Sequence, residues 1–138
     1  MSAFSSMNIG RTGVGMAHHW IDKISHNLAN ANTVTSTDEE PFRALRQVAR
    51  PLEGGGPFAR DGSGVHTAAV TRDQSDAVQT FDPGHQLADE DGMVQQAVVD
   101  VGAQMVDMML AQRHYQVNMQ TVKSAHESYK AALQLGRG

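Results

Sequence analysis

His18, Asp22 and His26 stand four residues apart, and on a helix that spacing brings two imidazoles and a carboxylate near one face. Such a set could hold a divalent cation, since neutral imidazole and carboxylate are ordinary zinc donors. Donors at intervals of four also drift around a helix, and no fourth donor or supporting acid stands nearby. A solvated polar face is the plainer reading. A second cluster, "DPGHQLADEDG" at residues 82 to 92, gathers His85, Asp89, Glu90 and Asp91. There His85 would act as a general base oriented by an acid. No glycine-rich phosphate loop or nucleophile elbow accompanies it. A surface turn, with acids favouring the start of a following helix, accounts for the segment.

Two terminal helices would position these groups. Over about residues 3 to 31, Met7, Val14, Ile21 and Leu28 recur every seventh position, and Gly10, Ala17, Ile24 and Ala31 fall three residues after each. This is one apolar stripe with small residues in alternate layers, which Trp20 would widen. Gly10, Gly13 and Gly15 burden that helix by roughly 3 kcal/mol together relative to alanine, so it needs a partner. Within "SHNLANANT" (25–33), Asn27 and Asn30 share one flank and could bond adjacent elements, while Asn32 and Thr33 suit an exit into extended chain.

The stretch from about residue 94 to 136 carries the better pattern. Its 3,4 spacing gives Val98, Val101, Met105, Met108, Gln112, Tyr115, Met119, Val122, His126, Tyr129 and Leu133. The spacing predicts a long helix with a narrow coiled-coil seam, roughly 60 Å in length, ended by Gly136 and Gly138. Gln112 and His126 either fix register as polar seam residues or mark where the seam becomes exposed.

Between the helices lie all four prolines and the run "EGGGP" (53–57). Residues 43–50, 64–71 and 76–81 are candidate strands, and "DPG" (82–84) is a turn. The expected organisation is therefore mainly α. An N-terminal helix (1–33) and a long C-terminal helix (94–138) pack as a coiled-coil-like pair around a β-containing or extended insert (34–93).

Composition narrows the function. The formal net charge is −4 and no lysine- or arginine-rich run occurs, which argues against nucleic-acid binding. Cysteine is absent, so disulfides, thiolate metal sites and a cysteine nucleophile are excluded. No apolar run approaches the roughly 20 residues needed to span a bilayer. The opening "MSAFSSMNIGRTGVG" lacks the pattern of a secretory signal peptide. Aromatic residues make up 5% of the chain, which leaves little material for a large independent core, and eight methionines compensate in part.

"ISHNLANANT" (24–33) resembles the N-terminal signature of the axial proteins of the bacterial flagellum, the rod and hook family. "MVDMMLAQRHYQVNMQTVKSA" (105–125) resembles the matching C-terminal motif, with its core at Arg113, Tyr115, Gln116 and Asn118. "FDPGHQLADEDGMV" (81–94) is similar to a segment typical of a short, proximal rod member. The chain departs from that segment and the start of the helix at Gln86, Met93, Ala97–Val98 and Gln104, where the family has a proline, a tyrosine, a proline–asparagine pair and an acid.

The resemblance implies a structural subunit of the basal-body rod, without catalysis, cofactor, metal or small-molecule substrate. Its implied partners are copies of itself, other rod proteins and the flagellar type III export apparatus, which would deliver it to the periplasm without a cleaved signal peptide. The residues expected to pack subunits are Met7, Val14, Ile21, Ile24, Asn27, Leu28 and Asn30 on the first helix. On the second they are Val98, Val101, Met105, Met108, Gln112, Tyr115, Asn118, Met119 and Val122. A soluble helical-hairpin adaptor, or a metal-dependent hydrolase using His18, Asp22 and His26, are the alternatives.

Overall fold

The computed structural model describes residues 3–52 and 62–136. "EGGGP" and Gly138 lie outside the described residues. Two long helices, α1 (Ala3–Ala29) and α2 (Val101–Leu135), run antiparallel. Phe4 meets Tyr129 at one end, with ring centroids 4.9 Å apart, and Asn27 meets Gln104 at the other. At 27 and 35 residues they extend about 40 and 52 Å.

The strands between them form two small sheets. β1 (Val34–Thr35), β5 (Met93–Gln96) and β4 (Val78–Phe81) make an antiparallel sheet in the order β1-β5-β4. β2 (Leu45–Pro51) and β3 (Val65–Arg72) make a separate two-stranded hairpin beside α1. The expected strands at 43–50, 64–71 and 76–81 correspond to β2, β3 and β4. β1 and β5 were not foreseen.

The expected C-terminal helix began too early. Residues 93–96 are a strand hydrogen-bonded on both sides, and the helix starts at Val101. Gly92, at φ 75, turns the chain into β5, a conformation suited to glycine. Asp100 then caps α2, its carboxylate accepting from the Ala103 N–H at 2.9 Å. The helix start thus falls to Asp100, just beyond Ala97–Val98. At the far end Gly136 closes α2, donating its N–H to the Ala132 and Gln134 carbonyls.

The helix seam is also rotated from the expected one. On α1, Gly10, Gly13, Ala17, Ile24 and Asn27 are buried, while Met7, Val14, Ile21 and Leu28 are half-buried on the flank. On α2 the seam runs through Gln104, Met108, Ala111, Tyr115, Asn118, Val122, Ala125 and Tyr129. Met108, Tyr115, Val122 and Tyr129 were foreseen. Met105, Gln112, Met119 and His126, each one residue further along, are exposed instead. The physical reason is closeness. A Cβ on Gly10 would stand 2.8 Å from Val122 Cγ2, and one on Gly13 would overlap the Asn118 amide. Backbones that near leave no room for a side chain at Gly10 and Gly13, and the α2 seam mixes small residues, Ala111 and Ala125, with Met108, Tyr115 and Tyr129. Two of the three glycines that burden α1, Gly10 and Gly13, are what its partner requires.

Little is fully enclosed. Among the described residues the buried apolar set is Ala17, Ile24, Ala44, Val94 and Ala111, three of them alanines.

Candidate assembly surface

Asn27 accounts for one of the asparagines. It is 1% exposed, and its amide satisfies three partners at once. Oδ1 accepts from the Leu45 N–H at 2.7 Å, while Nδ2 donates to the Leu45 carbonyl and to Gln104 Oε1, each at 2.9 Å. A side-chain amide has the same donor–acceptor pattern as a peptide group, so it pairs with the first residue of β2 as a neighbouring strand would. Gln104 supplies the third bond. Asn30 acts locally. Its Nδ2 donates to the His26 carbonyl at 2.8 Å and helps end α1.

The hairpin is tied to α1 at two further points. Gln47 Nε2 donates to the Met16 carbonyl at 3.1 Å, and the Val65 N–H donates to Thr12 Oγ1 at 3.0 Å. Thr12 in turn donates to the Ile9 carbonyl at 2.7 Å.

The residues considered for chemistry have structural surroundings. His18 and His19 each lie 4.0 Å from Asp22, all on the exposed side of α1, and the His26 ring rests against Phe42 at 5.5 Å. Among the described residues no group of three metal donors converges. Asp89 organises its turn. Its carboxylate accepts from the Met93 N–H at 2.8 Å, Thr37 Oγ1 at 2.9 Å and the Asp91 N–H at 3.0 Å. The Met93 amide foremost, then Thr37, holds its carboxyl below the usual carboxylate range. His85 Nδ1 accepts from the Leu87 N–H at 3.2 Å and does not engage Asp89.

What the chain presents instead is an apolar outer face. Met105, Val106, Met109, Leu110 and Val117 are exposed on α2, with Met109 62% so. Of the expected packing residues, Val98, Val101, Met105 and Met119 belong to the exposed set, and Gln112 is exposed with them. Met108, Tyr115, Asn118 and Val122 face α1. Sequence reasoning missed Gly13 and Ala111 on the inner side and Val106, Met109, Leu110 and Val117 on the outer one. The pairs Met105–Met109 and Val106–Leu110, each four apart, were the available signal for a second stripe. Arg113 is the first lysine or arginine after Arg72, so residues 101–110 meet solvent with Asp107 as their single charge. No described helix is long and apolar enough to cross a membrane. A face of this kind on a water-exposed helix is a candidate contact surface.

The comparisons agree with that chemistry. Residues 90–135, which are β5 and α2 with the turn before them, match the family model described as flagellar basal body rod FlgEFG protein C-terminal. Over 152 aligned residues the chain is 32% identical to the flagellar basal-body rod protein FlgC of Borreliella burgdorferi, covering 100% of both chains. It is 31% identical to the FlgC protein of Salmonella typhimurium, over 99% of this chain and 100% of the relative. For the FlgC protein of Bacillus subtilis the identity is 27%, with the same coverage. An antiparallel helix pair with a short strand-bearing middle, an apolar outer face and full-length similarity to these proteins lead to one assignment: the chain belongs to the FlgC family of flagellar basal-body rod proteins.

Proposed function

We infer that this structural rod subunit works by packing alone, and that the outer face of α2 is where neighbouring subunits pack. The observation that carries this reading is the imbalance, among the described residues, between five enclosed apolar residues and a helix face that exposes Met105, Val106, Met109, Leu110 and Val117. Burial of those five side chains against neighbours would stabilise an assembly by about 1.5–3 kcal/mol for each one fully enclosed. A contact between different faces of successive subunits, repeated by a screw operation, generates an open helical structure. In that arrangement the subunit transmits torque passively in the proximal rod, beside its own copies and other rod proteins. Export through the flagellar type III apparatus to the periplasm, without a cleaved signal peptide, completes the reading.

Deletion of residues 110–138 tests it. The expected result is loss of motility with basal bodies that lack a completed rod, seen by electron microscopy. Normal rods in that strain would overturn the proposal.

A further inference from the structure

All the sulfur in this chain is methionine sulfur. Cysteine is absent, and seven of the eight methionines fall among the described residues. Their surroundings differ. Met7, Met16, Met93 and Met108 are half-buried, whereas Met105, Met109 and Met119 are 59%, 62% and 45% exposed. All three exposed ones lie on α2, and their spacing gathers them. At 3.6 residues per turn, Met109 and Met119 stand about 40° to either side of Met105, while Val106, Leu110 and Val117 fall about 100–140° round from it. The outer surface of α2 thus has a thioether flank and a separate branched-aliphatic flank. Two open grooves keep that division. Met119 lines one with Tyr115, Lys123 and His126, and Val117 lines the other with Ser6, Thr121 and Ser128.

The two flanks differ in chemistry as well as in place. Valine and leucine side chains are inert to mild oxidants, and a thioether is not. A lone pair of the methionine sulfur attacks one oxygen of a peroxide. The S–O bond forms as the O–O bond breaks, and the departing hydroxide takes up a proton to become water. Sulfur is oxidised by the electron pair that the peroxide gains. The sulfoxide presents a polar oxygen where an apolar sulfur stood, and burial of that oxygen without a donor is unfavourable. Access to the sulfur sets how readily the reaction occurs, so the three exposed methionines of α2 lead.

We propose that Met105, Met109 and Met119 form a reversible oxidation site, and that a peroxide acting there stops the free subunit from assembling until the sulfoxides are reduced. This rests on the assembly reading above, in which the outer face of α2 is buried against neighbours, and adds a control upon that face. Under that reading covered sulfurs are shielded, so the control acts before assembly. Methionine sulfoxide reductases with a dithiol restore the thioether, the oxygen leaving as water and the dithiol becoming a disulfide. Because the chain has no cysteine, the dithiol changes nothing else in it.

The purified full chain is exposed briefly to hydrogen peroxide and mapped residue by residue with fragmentation mass spectrometry. Added oxygen is expected first on Met105, Met109 and Met119, and several-fold more slowly on Met7, Met16, Met93 and Met108. Even oxidation across the seven overturns the proposal. Sedimentation reads the consequence. Self-association of the oxidised chain should weaken by about tenfold or more, and return after treatment with sulfoxide reductases and dithiothreitol. The triple variant Met105→Leu, Met109→Leu and Met119→Leu should keep its association through the same dose. An oxidised parent chain that sediments as before, or a leucine variant that loses association equally, also overturns it. In cells, glutamine at the same three positions mimics the polar sulfoxide. Glutamine and leucine are both good helix formers, so neither triple variant disturbs the helix itself. The glutamine variant should lack completed rods and motility, and the leucine variant should swim. If the glutamine variant swims while Leu110→Asp does not, the rod reading stands and the oxidation site falls.

Discussion

The two faces of α2 are made of different materials. Toward α1 it mixes small and polar residues, Ala111, Asn118 and Ala125, with Met108, Tyr115, Val122 and Tyr129; away from α1 it presents Met105, Val106, Met109, Leu110 and Val117. A self-sufficient domain would place its larger apolar groups inside, where they contribute most. Here the inner face sets geometry by close approach, and the outer face holds most of the burial still to be made. Under the proposal made above, the neighbours of the helix pair complete its hydrophobic core.

The largest effect should come from the outer face. Leu110→Asp or Met109→Asp is expected to eliminate completed rods and motility, while the stability of the isolated chain in urea moves by no more than about 0.5 kcal/mol, as for an ordinary surface change. Motile cells, or a strongly destabilised monomer, would break the contrast between the faces. Next comes the buried joint. Asn27→Ala strands the Leu45 N–H and carbonyl and the Gln104 amide, and is expected to cost about 3 kcal/mol in a urea titration. An unchanged midpoint would mean that the inner side does not set the geometry.

A smaller and more discriminating pair uses glycines. Gly13→Ala pushes a methyl into the Asn118 amide and should destabilise by about 1–2 kcal/mol despite the better helix propensity. Nothing lies within 4 Å of a Cβ on Gly15, so Gly15→Ala should stabilise the isolated chain by about 0.5–1 kcal/mol. Shifts of the same sign would show that the helices are not in close contact where the structure brings them together.

The smallest effect is acid-dependent. The Asp89 carboxyl is held below its ordinary 3.8 by bonds made only in the folded chain. Its contribution is present above that ordinary value and is lost as pH falls through the lower, folded one. Stability of Asp89→Asn should therefore be flatter with pH below about 4 than that of the parent chain, checked by thermal melts across that range. Equal pH slopes would remove Asp89 as an organiser of the turn.

The sequence made both helices and their pairing legible, because recurrence at three and four residues is a direct imprint of helical geometry. It also placed three strands and the turn. It misplaced one line of each seam by a single residue, and in the same way. Met7 and Met105 attract the eye as apolar groups, while the closest positions are held by Gly13 and Ala111, whose value lies in what they leave out, with Asn118, which the motif had singled out, filling the space beside Gly13. β5 escaped because "MVQQ" is a short run with no alternation, defined by its partners Val34–Thr35 and Val78–Phe81 rather than by its own pattern. Asn27 was singled out with Asn30, yet only the three-dimensional approach of Leu45 and Gln104 separates a joint from a cap.

The three attachments of the hairpin have a mechanical meaning. Thr12, the Met16 carbonyl and Asn27 hold β2 and β3 at points spread along about four turns of α1. A hydrogen bond fails when its heavy atoms separate by less than an ångström beyond contact, so it resists sliding far more than bending. To slip along the helix by one residue, the hairpin would have to break all three together, and Asn27 would release α2 in the same event. Three directed bonds thus couple the hairpin to the helix pair, so a twist applied to one is passed to the other.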